Sequence, residues 1–175
     1  RFLLLFLCFL FQFPGSGMVK ATHIIGGEIY YDCLGNNQFR ITLKLYRDCL
    51  NGQAPYDDPA NVGIYNASGG IVQNVELPYP GSHLIPPQSL NPCFQANANI
   101  CVEECIYTKV ISLPYSPGGY SLVYQRCCRN QSILNLNNPG DTGATYVANI
   151  PESAWTDCNS SPRCIQFPPI VLCIN

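Results

Sequence analysis

An all-β domain, a disulfide-rich sandwich of immunoglobulin type, is predicted here by three observations. Short runs of alternating apolar and polar residues recur along the chain, and clusters of Gly, Pro and Asn separate them. Nowhere do apolar residues return at helical spacing for as many as twelve positions.

Phe39, Ile41, Leu43 and Leu45 alternate with Arg40, Thr42, Lys44 and Tyr46, the period of a strand with one buried face. Before it, residues 28–32 read as a shorter strand that follows Gly26 and Gly27, with residues 34–38 as the turn of a hairpin. Residues 62–65 and 71–77 flank Asn66-Ala67-Ser68-Gly69-Gly70, a second hairpin signal. From Pro78 to Ile100 the chain is irregular, carrying Pro78, Pro80, Pro86, Pro87 and Pro92. So long a structureless loop is out of place in a compact domain. A short edge strand at residues 83–85, a Cys93–Cys101 bridge, or both are therefore expected. Residues 106–113 and 120–125 are rich in β-branched and aromatic side chains and are joined by a turn over residues 114–119. Residues 145–150, after the loop 137–141, complete a set of seven strands. A jelly roll or an open barrel would use the same strands, because strand order is not written in a single sequence.

The chain opens with Arg1 and an apolar run from Phe2 to Phe11 that stops near Pro14. That is the pattern of a secretory signal peptide, and the run falls short of the roughly 20 residues a membrane-spanning helix needs. Val19 and Ala21 put small residues where a signal peptidase reads, so residues 1–21 are expected to be removed between Ala21 and Thr22. A lipoprotein reading on Cys8 is disfavoured, since Cys8 lies inside the apolar run with Leu7 before it. Residues 22–175 suffice for one domain, and the apolar end at residues 170–175, together with the lack of an initiator Met, suggests a fragment whose last residues begin a following domain. Charged residues are 11% of the chain, and the net charge is −2. No basic patch for nucleic acid stands out.

Loss of Cys8 leaves Cys33, Cys49, Cys93, Cys101, Cys105, Cys127, Cys128, Cys158, Cys164 and Cys173. An even, high count in an exported chain argues that all of these are disulfide-bonded. Cys127 and Cys128 stand side by side between Arg126 and Arg129, at the end of a strand whose neighbouring side chains alternate in direction. They are therefore expected to reach two different partners, and a bond between them, closing a strained ring, is not expected. A redox centre would want a Cys-x-x-Cys spacing at a helix start, which is lacking. Cys101-x-x-x-Cys105 has a permissible zinc spacing, but no matching second pair follows at a fitting distance.

No catalytic motif emerges, and no cofactor or metal site is predicted. His23 and His83 are far apart and without a motif. Glu103-Glu104 and Asp57-Asp58 are carboxylate pairs, but adjacency in an extended chain does not aim two carboxylates at one substrate, and solvated edges are the simpler reading. Asp57, Asp58 and Asp141 form no EF-hand loop for calcium. Asn66, Asn130 and Asn159 begin formal glycosylation sequons, of the kind a chain rich in Asn and Ser contains by chance. Eleven tyrosines supply either sheet packing or a sugar- or peptide-binding surface.

Four motifs carry a resemblance. The run from Ala21 through His23-Ile24-Ile25-Gly26-Gly27-Glu28-Ile29-Tyr30-Tyr31-Asp32 to Cys33 is the first, and Tyr46-Arg47-Asp48-Cys49 is the second. Tyr124-Gln125-Arg126-Cys127-Cys128-Arg129-Asn130 and Cys158-Asn159-Ser160-Ser161-Pro162-Arg163 follow. Together they resemble the N-terminal module of the very long gliding-motility-associated surface proteins of Bacteroidota, over essentially the whole mature segment. The resemblance implies a non-catalytic, adhesin-like protein, secreted or at the cell surface, with a surface ligand (protein or glycan) it does not identify. It also implies that the chain continues into tandem immunoglobulin-like or PKD-type repeats and ends in a sorting domain of the type IX secretion system. In the family pattern, Cys105 and Cys164 fall where many members carry other residues, which implies an extra bridge between those two. The other reading is a carbohydrate-binding module attached to a secreted enzyme, which would need a coplanar row of exposed rings drawn from Tyr56, Tyr79, Tyr115 and Trp155.

Overall fold

Alternation of buried and exposed side chains organises eight strands in the computed structural model, which describes residues 24–52, 54–86, 100–131 and 133–164. They are β1 (Ile24–Gly35), β2 (Gln38–Asp48), β3 (Ala60–Asn66), β4 (Ile71–Leu77), β5 (Ser82–Ile85), β6 (Val102–Ser112), β7 (Tyr120–Arg126) and β8 (Ala144–Ile150). The expected signal peptide with its Ala21/Thr22 junction, His23, Cys93 and Cys173 lie outside the described residues. The seven predicted strands are all present. The first starts earlier than expected, at Ile24, and His83-Leu84-Ile85 does form part of an edge strand. A 3-10 turn, Pro139–Asp141, and a single helical turn α1, Ala154–Asp157, are additions.

The turn between β1 and β2 shows why the hairpin closes where it does. Asn36 and Asn37 have φ of 51° and 59°, the left-handed values that a two-residue hairpin turn requires and that asparagine tolerates. The strands form two antiparallel sheets, β1-β2-β6-β5 and β4-β3-β7-β8. That is the order A-B-E-D against C′-C-F-G of an immunoglobulin-like sandwich, so the jelly roll and the open barrel are both set aside. Phe39, Ile41, Leu43 and Leu45 point inward from β2, with Leu43 in register between Ile29 and Tyr107. Val62, Ile64, Leu122, Tyr124 and Ile150 meet them from the second sheet.

Two disulfides lock this core at long range. Cys33–Cys158 joins β1 to the segment after α1, and Cys49–Cys101 joins the end of β2 to the start of β6. Beyond Cys158 the chain lies along β1: Ser161 N donates to Tyr31 O at 3.0 Å, and Tyr31 N and Cys33 N donate to the hydroxyls of Ser161 and Ser160. Arg163 pairs with Asp32 and sits over Tyr30. An edge strand that could template aggregation is thereby covered.

The cysteine chemistry departs from expectation at four points. Cys101 bonds Cys49, so no Cys93–Cys101 bridge forms. Cys127 and Cys128 bond each other, across a cis peptide. They lie beyond Arg126, where β7 ends, so strand alternation does not separate their side chains. Cys105 and Cys164 are both free, against the expectation that every mature cysteine is bonded. Nor do they pair with each other, because they are on opposite faces of the first sheet. Cys105 is buried in the core opposite Leu45, whereas Cys164 is exposed beside Glu28 on the outer face. Burial pushes the Cys105 thiol up to about 11. In the folded domain an alkylating reagent is therefore expected to modify Cys164 readily and Cys105 only after unfolding. Equal labelling of the two, read by peptide mass spectrometry, would contradict the inward placement of Cys105.

Candidate functional site

The inward phase of three strands does not end with the apolar core. One step past Leu45 on the inner side of β2 comes Arg47; the same parity gives Glu103 on β6 before Cys105, and Arg126 on β7 after Tyr124. Charged side chains are thus delivered to one open end of the sandwich, where the β2–β3 loop folds over them. Arg47 donates to Ala54 O at 2.8 Å and Arg126 to Pro55 O at 2.6 Å, so each sheet holds the loop by an arginine. Arg47 pairs with Glu103, and Arg126 with Asp57.

Tyrosines complete the clamp. Tyr107 donates its hydroxyl to Asp57 O at 2.8 Å and Tyr124 donates to the Asp57 carboxylate at 2.6 Å. Tyr56, itself on the loop, donates to Glu103 O at 2.8 Å. Burial pushes all three phenols well above their ordinary value, so they remain protonated donors. Arg47 also lies 5.4 Å from the centre of the Tyr56 ring, within cation–π range.

The result is a cleft of about 570 Å³ lined by Arg47, Tyr56, Asp58, Tyr79, Glu103 and Arg126, among others. Tyr79 stacks on Tyr56 with ring centres 5.9 Å apart and stays 38% exposed. Its hydroxyl donates to Ser82, which donates to Glu103, each at 3.0 Å. Its backbone N–H donates to Asp58 at 3.2 Å. Asp58 is exposed and, among the described residues, pairs with no cation.

Compared with known protein families, curated proteins and solved structures, the chain matches none. What the site can do is therefore argued from its own atoms.

The two sequence-level carboxylate pairs separate in different ways. Glu103 turns into the cleft while Glu104 turns to the outer face, where it meets His83 at 2.9 Å and Lys44 at 4.0 Å. Asp57 is the anchor of the loop clamp while its side chain stays partly exposed, and Asp58 faces solvent. Among the described residues no three His, Cys, Asp or Glu side chains gather as a metal site; Asp141 lies in the 3-10 turn and does not line the cleft. Of the four rings proposed for a sugar-binding row, Tyr56 is buried and Tyr79 stacks on it. Tyr115 and Trp155 lie at the other end of the sandwich, where Trp155 packs on Phe39 and Tyr120 and donates to Leu113 O. The four do not form one coplanar row. The sequon at Asn130 is also unavailable to a glycan in the folded state, because Asn130 is buried and donates to Asp48 at 2.8 Å.

Proposed function

We propose that this chain is a non-catalytic, exported module of a large adhesin-like surface protein, fastened by disulfides and working by surface binding or as a spacer. The carrying observation is the pair of disulfides that span 125 and 52 residues of an immunoglobulin-like sandwich. Such bonds persist in oxidising compartments, outside the cytosol. No described helix is long and apolar enough to cross a membrane, in keeping with a module displayed outside the membrane.

The cleft supports binding over catalysis. Its arginines and two of its carboxylates are spent on holding a loop shut, and a general acid–base pair needs titratable groups left free to reach one substrate. The resemblance to the gliding-motility-associated surface proteins of Bacteroidota supplies the setting: a type IX secretion cargo in which this domain precedes a repeat array. Two measurements test it. Antibody against the domain is expected to label intact, unpermeabilised cells, and the coding sequence after Asn175 is expected to continue into repeats and a sorting domain. A cytosolic pool with no surface label, or a catalytic domain downstream, would overturn the reading.

A further inference from the structure

We infer that the cleft beneath the β2–β3 loop binds a neutral pyranose unit of a glycan, stacked on the exposed face of Tyr79. The inference rests on the binding role proposed above and names the ligand class for this cleft.

Three features point to a sugar. The first is the platform. Tyr79 is exposed, yet its ring is backed by buried Tyr56 and flanked by Tyr107 at 6.2 Å, so it presents a fixed apolar face rather than a mobile side chain. The C–H face of a pyranose covers such a ring without a conformational cost to the protein.

The second is the polar rim. Each guanidinium has five N–H groups, so Arg47 and Arg126 keep donors beyond those used on the loop and its carboxylates, Asp58 offers acceptor oxygens, and the Ser82 hydroxyl, which donates to Glu103, can still accept. Sugar hydroxyls also donate and accept, so they complement a mixed rim. An ammonium group only donates, and it would leave the remaining N–H groups of Arg47 and Arg126 without an acceptor. A carboxylate or phosphate would meet Asp58, Asp57 and Glu103. Arg47 pairs with Glu103 and Arg126 with Asp57, so among the described residues Asp58 is the one uncompensated charge of the rim, an acceptor for the hydroxyl donors of a neutral guest.

The third is shape. The cleft volume of about 570 Å³ lies within the usual range for small-ligand sites and accommodates one sugar unit or a chain end. Because Tyr115 and Trp155 are at the far end of the sandwich, the site reads one unit rather than a flat run of a polymer.

The oxidised domain should be titrated by NMR with linear hexasaccharides of glucose, mannose, galactose and N-acetylglucosamine, and with N-acetyl-lysine amide. At least one glycan is expected to bind saturably and to shift signals of Tyr79, Ser82 and Asp58. Tyr79→Ala is expected to weaken that binding by at least about tenfold, whereas Tyr79→Trp retains it. The melting temperature of each variant controls for folding. Binding of the lysine amide alone, glycan binding indifferent to Tyr79→Ala, or no binding by any glycan in the set would each overturn the assignment. Any of those outcomes leaves the exported-module reading standing, because that reading is tested by surface labelling and downstream sequence.

Discussion

Replacing Cys33 and Cys158 together by serine is expected to lower the stability of the domain by about 3 to 5 kcal/mol, the largest effect of any change considered. The bond spans 125 residues, and in the chain-entropy account a loop of about 100 already restricts the unfolded chain by about 4.7 kcal/mol. Set against a total of about 5 to 15 kcal/mol, the loss leaves a marginal domain. Native contacts also suffer, since the segment after Cys158 covers the edge of β1. Trp155, the single tryptophan, packs on Phe39 and Tyr120 just before Cys158 and reports the loss by fluorescence. Denaturant titration of the two proteins measures it. A change under about 1 kcal/mol would show that the bridge only decorates a fold already held by its core.

Asp48→Ala is expected to cost about 2 to 4 kcal/mol, through loss of a buried acceptor rather than of packing. One carboxylate oxygen of Asp48 accepts from Leu50 N and Asn51 N, at 2.9 and 3.0 Å. The other accepts from the side chains of Asn51 and Asn130, at 3.1 and 2.8 Å. The residue therefore ties the end of β2 to the strand-following loop of β7. Burial favours the neutral acid, but the hydrogen bonds from Asn51, Asn130 and Leu50 outweigh it and hold the carboxyl below its ordinary value. An unfolded chain then binds this proton more readily than the folded one. The stability from Asp48 is complete above the ordinary carboxylate pKa of about 3.9 and is lost as the pH falls through the lowered folded value. Asp48→Asn, which keeps one acceptor oxygen, is expected to fall between wild type and Asp48→Ala at pH 7. The gap between wild type and Asp48→Asn should narrow as the medium is acidified below about pH 4. A gap that stays constant or widens under acid would contradict the assignment.

The strands were legible because their period is local. Leu43 and its neighbours announce an inner face without reference to any other part of the chain, and the strands around Ile64, Tyr107 and Leu122 do the same. The pairing of sulfurs was not legible, since it depends on which residues meet across the sandwich. Cys105 shares the inward parity of Tyr107 and Cys164 follows a segment laid on the outside, yet nothing in their spacing tells one face from the other. Cys127 and Cys128 misled for a narrower reason: the strand ends at Arg126, before either cysteine, so the alternation rule does not reach them. The cleft falls between these cases. Arg47, Glu103 and Arg126 continue the inner phase of Leu45, Cys105 and Tyr124, so charges at one end of the core could have been inferred from parity alone. That Asp57 would be the group they and the tyrosines hold required the loop to be seen in place.

The bond between Cys33 and Cys158 also has a mechanical consequence. Residues 34–157 lie inside a covalently closed loop, so tension applied to the chain on either side of the domain runs through sulfur and bypasses them. Under a steady pull β2 to β8, the clamped loop and the cleft lie inside the closed loop and are bypassed. Most of β1, which precedes Cys33, and the chain after Cys158 are the parts that can be drawn out, so the sulfur bridge sets how far the domain can lengthen before a covalent bond carries the load.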